Sequence, residues 1–226
     1  MSISAIILAG GQGSRMNCNE NKVFLQLGSH LIIDYSLNVF NQIDEVNEII
    51  CVYRHGEREK LASRAKEIVY NKKIKLVNGG RERKDSVSNA LLEMNPQNSL
   101  FVIHDGARPL ITKDFVLSLI ENVKIYKAVI PGVSVKDTIK RQKLGFVNNT
   151  IKRDELVAIQ TPQVFTSDYR DYLITPQKKG TDDASFIEGD EDVKIISGLK
   201  YNIKITTAED LWFAETILRK VEEFNW

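Results

Sequence analysis

The chain has 226 residues, with 31 Lys and Arg against 30 Asp and Glu, so its formal net charge at pH 7 is only +1. This balance gives no reason to expect nucleic acid or an anionic membrane as a partner. The two cysteines, Cys18 and Cys51, lack the spacing of a zinc site or a disulfide framework. The N-terminal apolar run is too short for a signal peptide or a membrane span, so we expect a cytoplasmic protein.

Strand-like and helix-like segments alternate along the chain. Strands are predicted at residues 3–8, 47–52, 75–77, 100–103, 128–130, 194–197 and 202–206, and helices at 31–40, 57–69, 85–92, 115–123 and 208–223. The βαβα order predicts an α/β fold with a doubly wound, mostly parallel sheet and right-handed crossovers. Ligands of such a sheet bind beyond the C-terminal ends of its strands.

A glycine-rich turn, LAGGQGSRM over residues 8–16, follows the first predicted strand. Gly10, Gly11 and Gly13 leave no Cβ between backbone N–H groups and an anion, and Arg15 and Lys22 add positive charge. The turn lacks the Gly-Lys-Ser/Thr ending of a Walker A loop and the third glycine of a dinucleotide-binding motif. Two interpretations remain at this point: a cradle for a nucleoside triphosphate, or a tight turn that packs closely.

A second glycine turn, GGRERKDSV over residues 79–87, leads from a strand into a helix. Asp85 and Ser86 suit the first helical turn, whose free N–H groups also favour anions or nucleobase carbonyls. The alternative is that the charges are solvated and Ser86 only caps the helix.

The segment HDGARP, residues 104–109, follows a buried strand. Asp105 there could bind a divalent cation or ribose hydroxyls, and Arg108 could grip a phosphate. Alternatively, these two residues pair only with each other. His104 is better explained as a hydrogen-bonded structural residue than as a base.

Residues 133–153 alternate polar and apolar on both sides of a turn at 143–145, which predicts a β-hairpin arm. Such an arm cannot bury both faces alone, so packing on a second subunit, and hence a dimer, is expected. The alternative is a hairpin folded back on its own domain. With no repeats or linkers, residues 1–226 are interpreted as a single domain carrying this arm.

The remaining candidates lie at 136–138, 160–163 and 181–185, with Thr181 or Asp182 as a helix N-cap. Lys204 differs from an ordinary solvated lysine because it lies between Ile203 and Ile205, on the opposite face of its predicted strand. This placement modestly favours a Lys204 side chain that lies in a functional site over one that is solvated.

Together these motifs resemble the 2-C-methyl-D-erythritol 4-phosphate cytidylyltransferase family. The resemblance runs from residue 3 to about residue 214 and rests on LAGGQGSRM with Lys22, GGRERKDSV, HDGARP, VKDTIK, QTPQ, TDDAS and NIKIT in this order. It implies a Rossmann-like nucleotidyltransferase that joins CTP to 2-C-methyl-D-erythritol 4-phosphate with release of pyrophosphate, using Mg²⁺, as a homodimer. The chain departs from the family at Asn21, where Pro is common, and in the pair Leu156-Val157, where Leu-Trp is common.

The resemblance also implies roles for particular residues. Arg15, Lys22, Arg153 and Lys204 would be catalytic, the first two by stabilising the transition state. Asp105 would lie at the metal and the triphosphate. The expected cytidine and triphosphate contacts are Ala9, Gly10, Gly11, Gly13, Gly80, Ser86 and Gly106, and the expected polyol phosphate contacts are Thr138, Arg153, Thr161, Lys204 and Arg108, some of them from the partner's arm.

Two other functions are open at this stage. The related ribitol-5-phosphate (pentitol phosphate) cytidylyltransferases share the first loop, QTPQ and NIKIT, although KDTIK and Arg153 favour the methylerythritol family. A CTP-binding regulator could keep the fold without turnover, but the intact set of charged candidates argues against it. Both alternatives keep CTP as the nucleotide.

Overall fold

The structure, a computed structural model, describes residues 1–11, 20–176 and 180–220. The site candidates Gly13 and Arg15, the cysteine Cys18 and the last three residues of the helix predicted at 208–223 lie outside these residues. The strands are β1 (Ile3–Leu8), β2 (Gln26–Leu27), β3 (His30–Leu31), β4 (Val46–Tyr53), β5 (Lys73–Asn78), β6 (Leu100–Asp105), β7 (Ala128–Ser134), β8 (Ile139–Lys143), β9 (Phe146–Ile151), β10 (Val157–Ile159), β11 (Gln163–Thr166) and β12 (Lys194–Ser197). The α-helices are α1 (Ile32–Asn41), α2 (Arg58–Ile68), α3 (Arg83–Glu93), α4 (Lys113–Tyr126), α5 (Arg170–Ile174) and α6 (Ala208–Lys220).

Within the described residues, the main sheet has the strand order β10-β7-β11-β6-β1-β4-β5, and β12 pairs with β7. Strands β6, β1, β4 and β5 are mutually parallel, and β12 is parallel to β7. Strand β11 runs antiparallel between β6 and β7, and β10 runs antiparallel to β7. The sheet is therefore mixed but mostly parallel, which confirms the predicted fold class.

The core lies on both faces of this sheet because successive strand side chains point to opposite sides. Ile7 of β1 belongs to the cluster that includes Phe40 of α1 and Val116 of α4. Ile6 belongs to the cluster on the other face, with Leu91 of α3. Strands covered on both faces read as continuous apolar runs, which is why their positions could be predicted.

The register of the central strands brings their C-terminal ends to one edge. Leu8, the last residue of β1, is opposite Val52 of β4 and Asp105 of β6. Val52 is in turn opposite Val77 of β5. The segments that follow these strands, including both glycine turns, therefore begin at the same edge of the sheet.

The predicted hairpin is present as β8 and β9, a separate antiparallel pair. Its turn contains Leu144 and Gly145, both with positive φ. Apolar side chains on the hairpin face solvent: Leu144, Phe146 and Val147 are 88%, 78% and 66% exposed. The hairpin and the residues that flank it, 133–153, form the arm.

Several sequence predictions differ from the structure. The strand predicted at 202–206 is wrong: these residues belong to no strand, and Ile205 N donates a single backbone bond to Ala107 O at 2.8 Å. Strand β6 continues to Asp105, so His104 and Asp105 belong to the strand and not to the following loop. In place of the helix predicted from Thr181 or Asp182, a one-turn 3-10 helix spans Ala184–Phe186. Strands β2, β3, β10 and β11 and helix α5 were missed.

None of the described helices has the length and apolar character needed to cross a membrane.

Candidate active site

A cleft of about 570 Å³ opens at the C-terminal ends of β1, β4, β5 and β6. It is bordered by both glycine turns and by Asp105 and Lys204, which lie about a hundred residues apart in the sequence. The structure therefore brings together many of the predicted site residues. Those lining the cleft are Gly10, Gly11, Lys22, Gly80, Ser86, Asp105 and Lys204.

Other predicted residues lie elsewhere. Ala9 and Thr161 are buried, 1% and 5% exposed. Thr138 and Arg153 are exposed on the arm and do not line the cleft of their own chain. The Arg153 guanidinium donates to Lys136 O at 3.1 Å.

The second glycine turn is held closely against the start of α3. A Cβ on Gly80 would lie 2.2 Å from the Cβ of Asp85, so only glycine fits there. The Ser86 hydroxyl accepts from Gly80 N at 3.0 Å and donates to Glu82 O at 3.2 Å. Asp85 accepts from Glu82 N at 2.9 Å in a capping box. Both side chains therefore fix the turn, and Ser86 also faces the cleft.

Gly106 allows the chain to pass close to β1 just after Asp105. A Cβ there would meet Ile33 Cδ1 at 2.7 Å and Leu8 O at 3.2 Å. Gly106 N donates to Leu8 O at 3.0 Å. This contact fixes the turn that carries Arg108 toward the site.

Asp105 is the centre of a cluster of cations. Its Oδ2 accepts from Lys204 Nζ at 2.7 Å and lies 3.9 Å from Arg108 Nε, and its Oδ1 lies 3.4 Å from Arg83 Nη2. Burial by itself raises the pKa of the Asp105 carboxyl, but Arg83, Lys204 and Arg108 outweigh it and hold that pKa well below its ordinary value of 3.8. Asp105 is therefore ionised throughout the physiological range. The alternative that Asp105 and Arg108 pair only with each other is wrong.

Arg83 connects Asp105 to a second, fully buried carboxylate. Its Nη1 and Nη2 contact Oδ1 and Oδ2 of Asp183 at 2.5 and 2.8 Å, a bidentate ion pair. Burial lowers the pKa of Arg83, but Asp183 and Asp105 outweigh it and raise that pKa above its ordinary value. Sequence reasoning missed both partners of this pair. Each lies in a quoted motif, but nothing local indicates a contact between residues 100 positions apart.

His104 and Thr161 support Asp105 from inside the sheet. Arg108 O can only accept, so His104 Nε2 carries the proton and donates to it at 3.1 Å. In the neutral ring Nδ1 then accepts from the Thr161 hydroxyl at 3.1 Å, and that hydroxyl accepts in turn from Asp105 N at 3.0 Å. Burial lowers the pKa of His104 to about 4, so its ring is neutral. The prediction that His104 is structural is confirmed.

The segment that carries Lys204 is fixed by side-chain amides rather than by strand pairing. Gln160 Nε2 donates to Leu199 O at 2.9 Å, and Asn202 Nδ2 donates to Thr161 O at 2.9 Å. Arg108 Nη1 donates to Asn202 O at 2.8 Å. Together with the backbone bond of Ile205, these contacts place Lys204 at the cleft.

The cleft favours an anionic ligand and could share a cation with it. Within residues 1–11, 20–176 and 180–220, no three His, Cys, Asp or Glu side chains are grouped as a metal site. Asp105 is a suitable single carboxylate for Mg²⁺, which is commonly held by one or two carboxylates together with substrate phosphates. The residues present therefore fit a metal ion that arrives with a polyphosphate.

A mostly parallel sheet with a cationic, glycine-bordered cleft at its carboxyl edge is the arrangement of an α/β protein that binds a nucleotide or another phosphate ligand. The comparisons with known proteins make this assignment more specific. A family model described as "IspD: 2-C-methyl-D-erythritol 4-phosphate cytidylyltransferase" matches residues 3–220. The chain belongs to this family.

Two relatives and one solved structure support the same family. The chain is 43% identical over 227 residues to the 2-C-methyl-D-erythritol 4-phosphate cytidylyltransferase of Alkaliphilus oremlandii, covering 97% of this chain and 96% of the relative. It is 40% identical over 230 residues to the one from Caldanaerobacter subterraneus, covering 97% and 100%. The solved 4-diphosphocytidyl-2C-methyl-D-erythritol synthase of Anaerococcus prevotii superposes with a TM-score of 0.82 at 33% identity, covering 96% of this chain and 98% of that one.

Proposed function

We propose that this chain is a cytidylyltransferase that joins CTP and 2-C-methyl-D-erythritol 4-phosphate to give 4-diphosphocytidyl-2-C-methyl-D-erythritol and pyrophosphate. The product is a precursor in non-mevalonate isoprenoid biosynthesis. The observation that supports this most strongly is that Lys22, Lys204 and the glycine turns border one cleft beside an ionised Asp105.

The chemistry needs no proton acceptor on the protein. The nucleophile is a phosphate monoester, whose second pKa is about 6, so it is mostly a dianion at neutral pH. The obstacle is to bring this anion against a triphosphate and to hold both in line. Fixed cations do this, and the neutral, buried His104 has no part in it.

The nucleophilic phosphate oxygen attacks the α-phosphorus of CTP. A new P–O bond forms while the bond from the α-phosphorus to the bridging oxygen breaks, and pyrophosphate leaves with the bonding electrons. Lys22 stabilises the charge that develops on the α-phosphate oxygens, and Arg15 has the same proposed role. Lys204 and Arg108 attract the polyol phosphate.

Asp105 would hold Mg²⁺ together with triphosphate oxygens. When bound, the ion neutralises phosphate charge and draws electron density from the reacting phosphorus. Lys204 and Arg83 contact the same carboxylate and would keep it in place for the ion.

The arm would complete the site of a partner in a homodimer. Thr138 and Arg153 are exposed on the arm and do not line their own chain's cleft. The exposed apolar residues of the hairpin are typical of a contact surface. In this arrangement Thr138 and Arg153 of one chain contact the polyol phosphate in the cleft of the other.

A pyrophosphate-release assay with CTP and Mg²⁺ tests the function. We expect release with 2-C-methyl-D-erythritol 4-phosphate and little with ribitol 5-phosphate. The reverse preference would make the chain a pentitol phosphate cytidylyltransferase. CTP binding without release from either substrate would make it a nucleotide-binding regulator.

A further inference from the structure

The turn that carries Lys22 is anchored by the side chain of the preceding residue. Asn21 is 1% exposed, and its Nδ2 donates to Ala9 O and to Glu57 Oε2, both at 2.7 Å. Its Oδ1 accepts from Val23 N at 3.3 Å, as the N-cap of the 3-10 turn Lys22–Phe24. Since a carbonyl and a carboxylate only accept and an N–H only donates, these partners fix the orientation of the amide.

Glu57 uses its two oxygens on two different segments. While Oε2 accepts from Asn21, Oε1 lies 2.5 Å from Arg54 Nη2. Glu57 is also the N-cap residue of α2, and a carboxylate at a helix N-terminus is stabilised by the helix dipole. Its side chain is only 14% exposed. The carboxylate is therefore held between the Lys22 turn and the residue that follows β4.

The first turn of helix α2 contacts the segment around Lys22 at a second point. The Lys60 ammonium lies 4.6 Å from the centre of the Phe24 ring and forms an ion pair with Glu20. Phe24 is 4% exposed. The start of α2 thus contacts the segment on both sides of Lys22.

Two residues joined by this network, Lys22 and Arg54, both line the cleft. Lys22 belongs to the predicted catalytic set, whereas Arg54 and Glu57 were not singled out from the sequence. The Glu57 carboxylate pairs directly with Arg54 and is connected to Lys22 through the side chain of the neighbouring Asn21.

We propose that Glu57 is a positioning residue of this cleft, which sets the place of Lys22 through Asn21 and orients Arg54 directly toward a triphosphate. The proposal rests on the proposed function, because Lys22 is taken to act on the α-phosphate. Removing the Glu57 carboxylate leaves a buried Asn21 N–H without its acceptor and releases the Lys22 turn from α2. A displacement on the order of 1 Å at a catalytic group can lower the rate about a hundredfold.

Steady-state kinetics of Glu57→Ala and Glu57→Gln test this, with Glu67→Gln on the same helix as the matched control. Glu67 is an exposed acid paired with Arg64 and does not line the cleft. In Glu57→Ala we expect kcat to fall roughly 10- to 100-fold. Glu57→Gln keeps an acceptor for Asn21, so most of kcat returns, while KM for CTP rises in both variants because neither pairs with Arg54 by charge. The control should match the wild type.

A double-mutant cycle separates positioning from a general loss of stability. If Glu57 acts mainly through Lys22, Glu57→Ala should lower kcat by less than about threefold in a Lys22→Ala background. An equal loss in both backgrounds, or a Glu57→Ala variant with kcat within about twofold of the wild type, would overturn the proposal.

Amide hydrogen exchange gives a readout that does not depend on turnover. Without substrates, exchange in a peptide spanning residues 20–27 should be faster in Glu57→Ala and near the wild-type rate in Glu57→Gln. Unchanged exchange in Glu57→Ala would overturn the proposal even in an active enzyme. If the wild-type protein released no pyrophosphate, the proposed reaction would fail, while the exchange result would still decide whether Glu57 fixes the turn.

Discussion

The cleft and the arm use similar side chains in opposite environments. In the cleft, Asp105 is surrounded by cations, and Arg83 is held by a carboxylate with no exposed surface. On the hairpin, Lys140 donates to Thr150 in the open, and Phe146 is 78% exposed. The first region is organised within one chain before any ligand arrives. The second has charges and apolar surface that this chain does not cover, as expected of a part that acts on a partner.

The largest effect is expected at the buried ion pair behind the cleft. In Asp183→Asn, Arg83 loses its bidentate partner and, among the described residues, keeps only Asp105, and breaking one side of a buried pair lowers the free energy of unfolding by up to about 3–5 kcal/mol. Chemical denaturation measures this. The control is Asp168→Asn, which removes an exposed ion pair and should change stability by about 1 kcal/mol or less. Equal losses in the two variants would mean that the cleft is no better organised than the surface.

The second largest effect is expected for Lys22→Ala, which should lower the catalytic rate and leave the stability nearly unchanged. Losing one charge-stabilising contact in a transition state lowers kcat by about 10²–10³-fold, and CTP binding should weaken less. Steady-state kinetics and direct CTP titration separate the two. Lys66→Ala, an exposed lysine on α2, is the control. Near-normal turnover in Lys22→Ala would remove Lys22 from the proposed mechanism.

A smaller effect is expected at a buried polar cluster away from both regions. Glu48 is 2% exposed and accepts from Ser4 Oγ and Asn95 N, each at 2.7 Å, with Lys75 Nζ at 3.0 Å. Burial raises the pKa of Glu48, but Asn95, Ser4 and Lys75 outweigh it, so the pKa lies below its ordinary value of 4.5.

A lowered pKa in the folded state gives stability that is present above the unfolded value and lost as pH falls through the folded value. Glu48→Gln should therefore unfold more easily at pH 7, by about 1–3 kcal/mol, and lose less stability than the wild type below about pH 4.5. Denaturation curves at pH 7 and below pH 4.5 check both. An unchanged acid dependence in Glu48→Gln would contradict the inference.

The sequence could predict what depends on local pattern. Buried apolar runs located β1, β4 and β6, and the glycines at 79–80 and 106 located the turns at the cleft. Pairing between distant segments has no such local signal. The antiparallel placement of β11 between β6 and β7 was therefore missed, and so was the Arg83–Asp183 pair.

Residues 202–206 show why a local pattern can also mislead. Their alternation of polar and apolar side chains suits a strand, but Ile205 belongs to a buried cluster, together with Leu27 and Ile32, whose described members all lie outside the main sheet. Asn202 uses its side chain to bond Thr161 O. Lys204 reaches the cleft by these contacts and not by strand pairing, so the predicted strand that favoured it as a site candidate was wrong although the structure places it at the cleft.

In the proposed homodimer the cleft of one chain is completed by the arm of the other, and mixing two inactive variants tests this claim most directly. Lys22→Ala impairs the cleft and Arg153→Ala impairs the arm. In dimers formed at random from equal amounts of the two, half contain one of each, and each of these has one intact site if the arm acts on the partner. We predict that the mixture recovers roughly a quarter of the wild-type activity. A mixture no more active than the average of the two variants alone would contradict the claim.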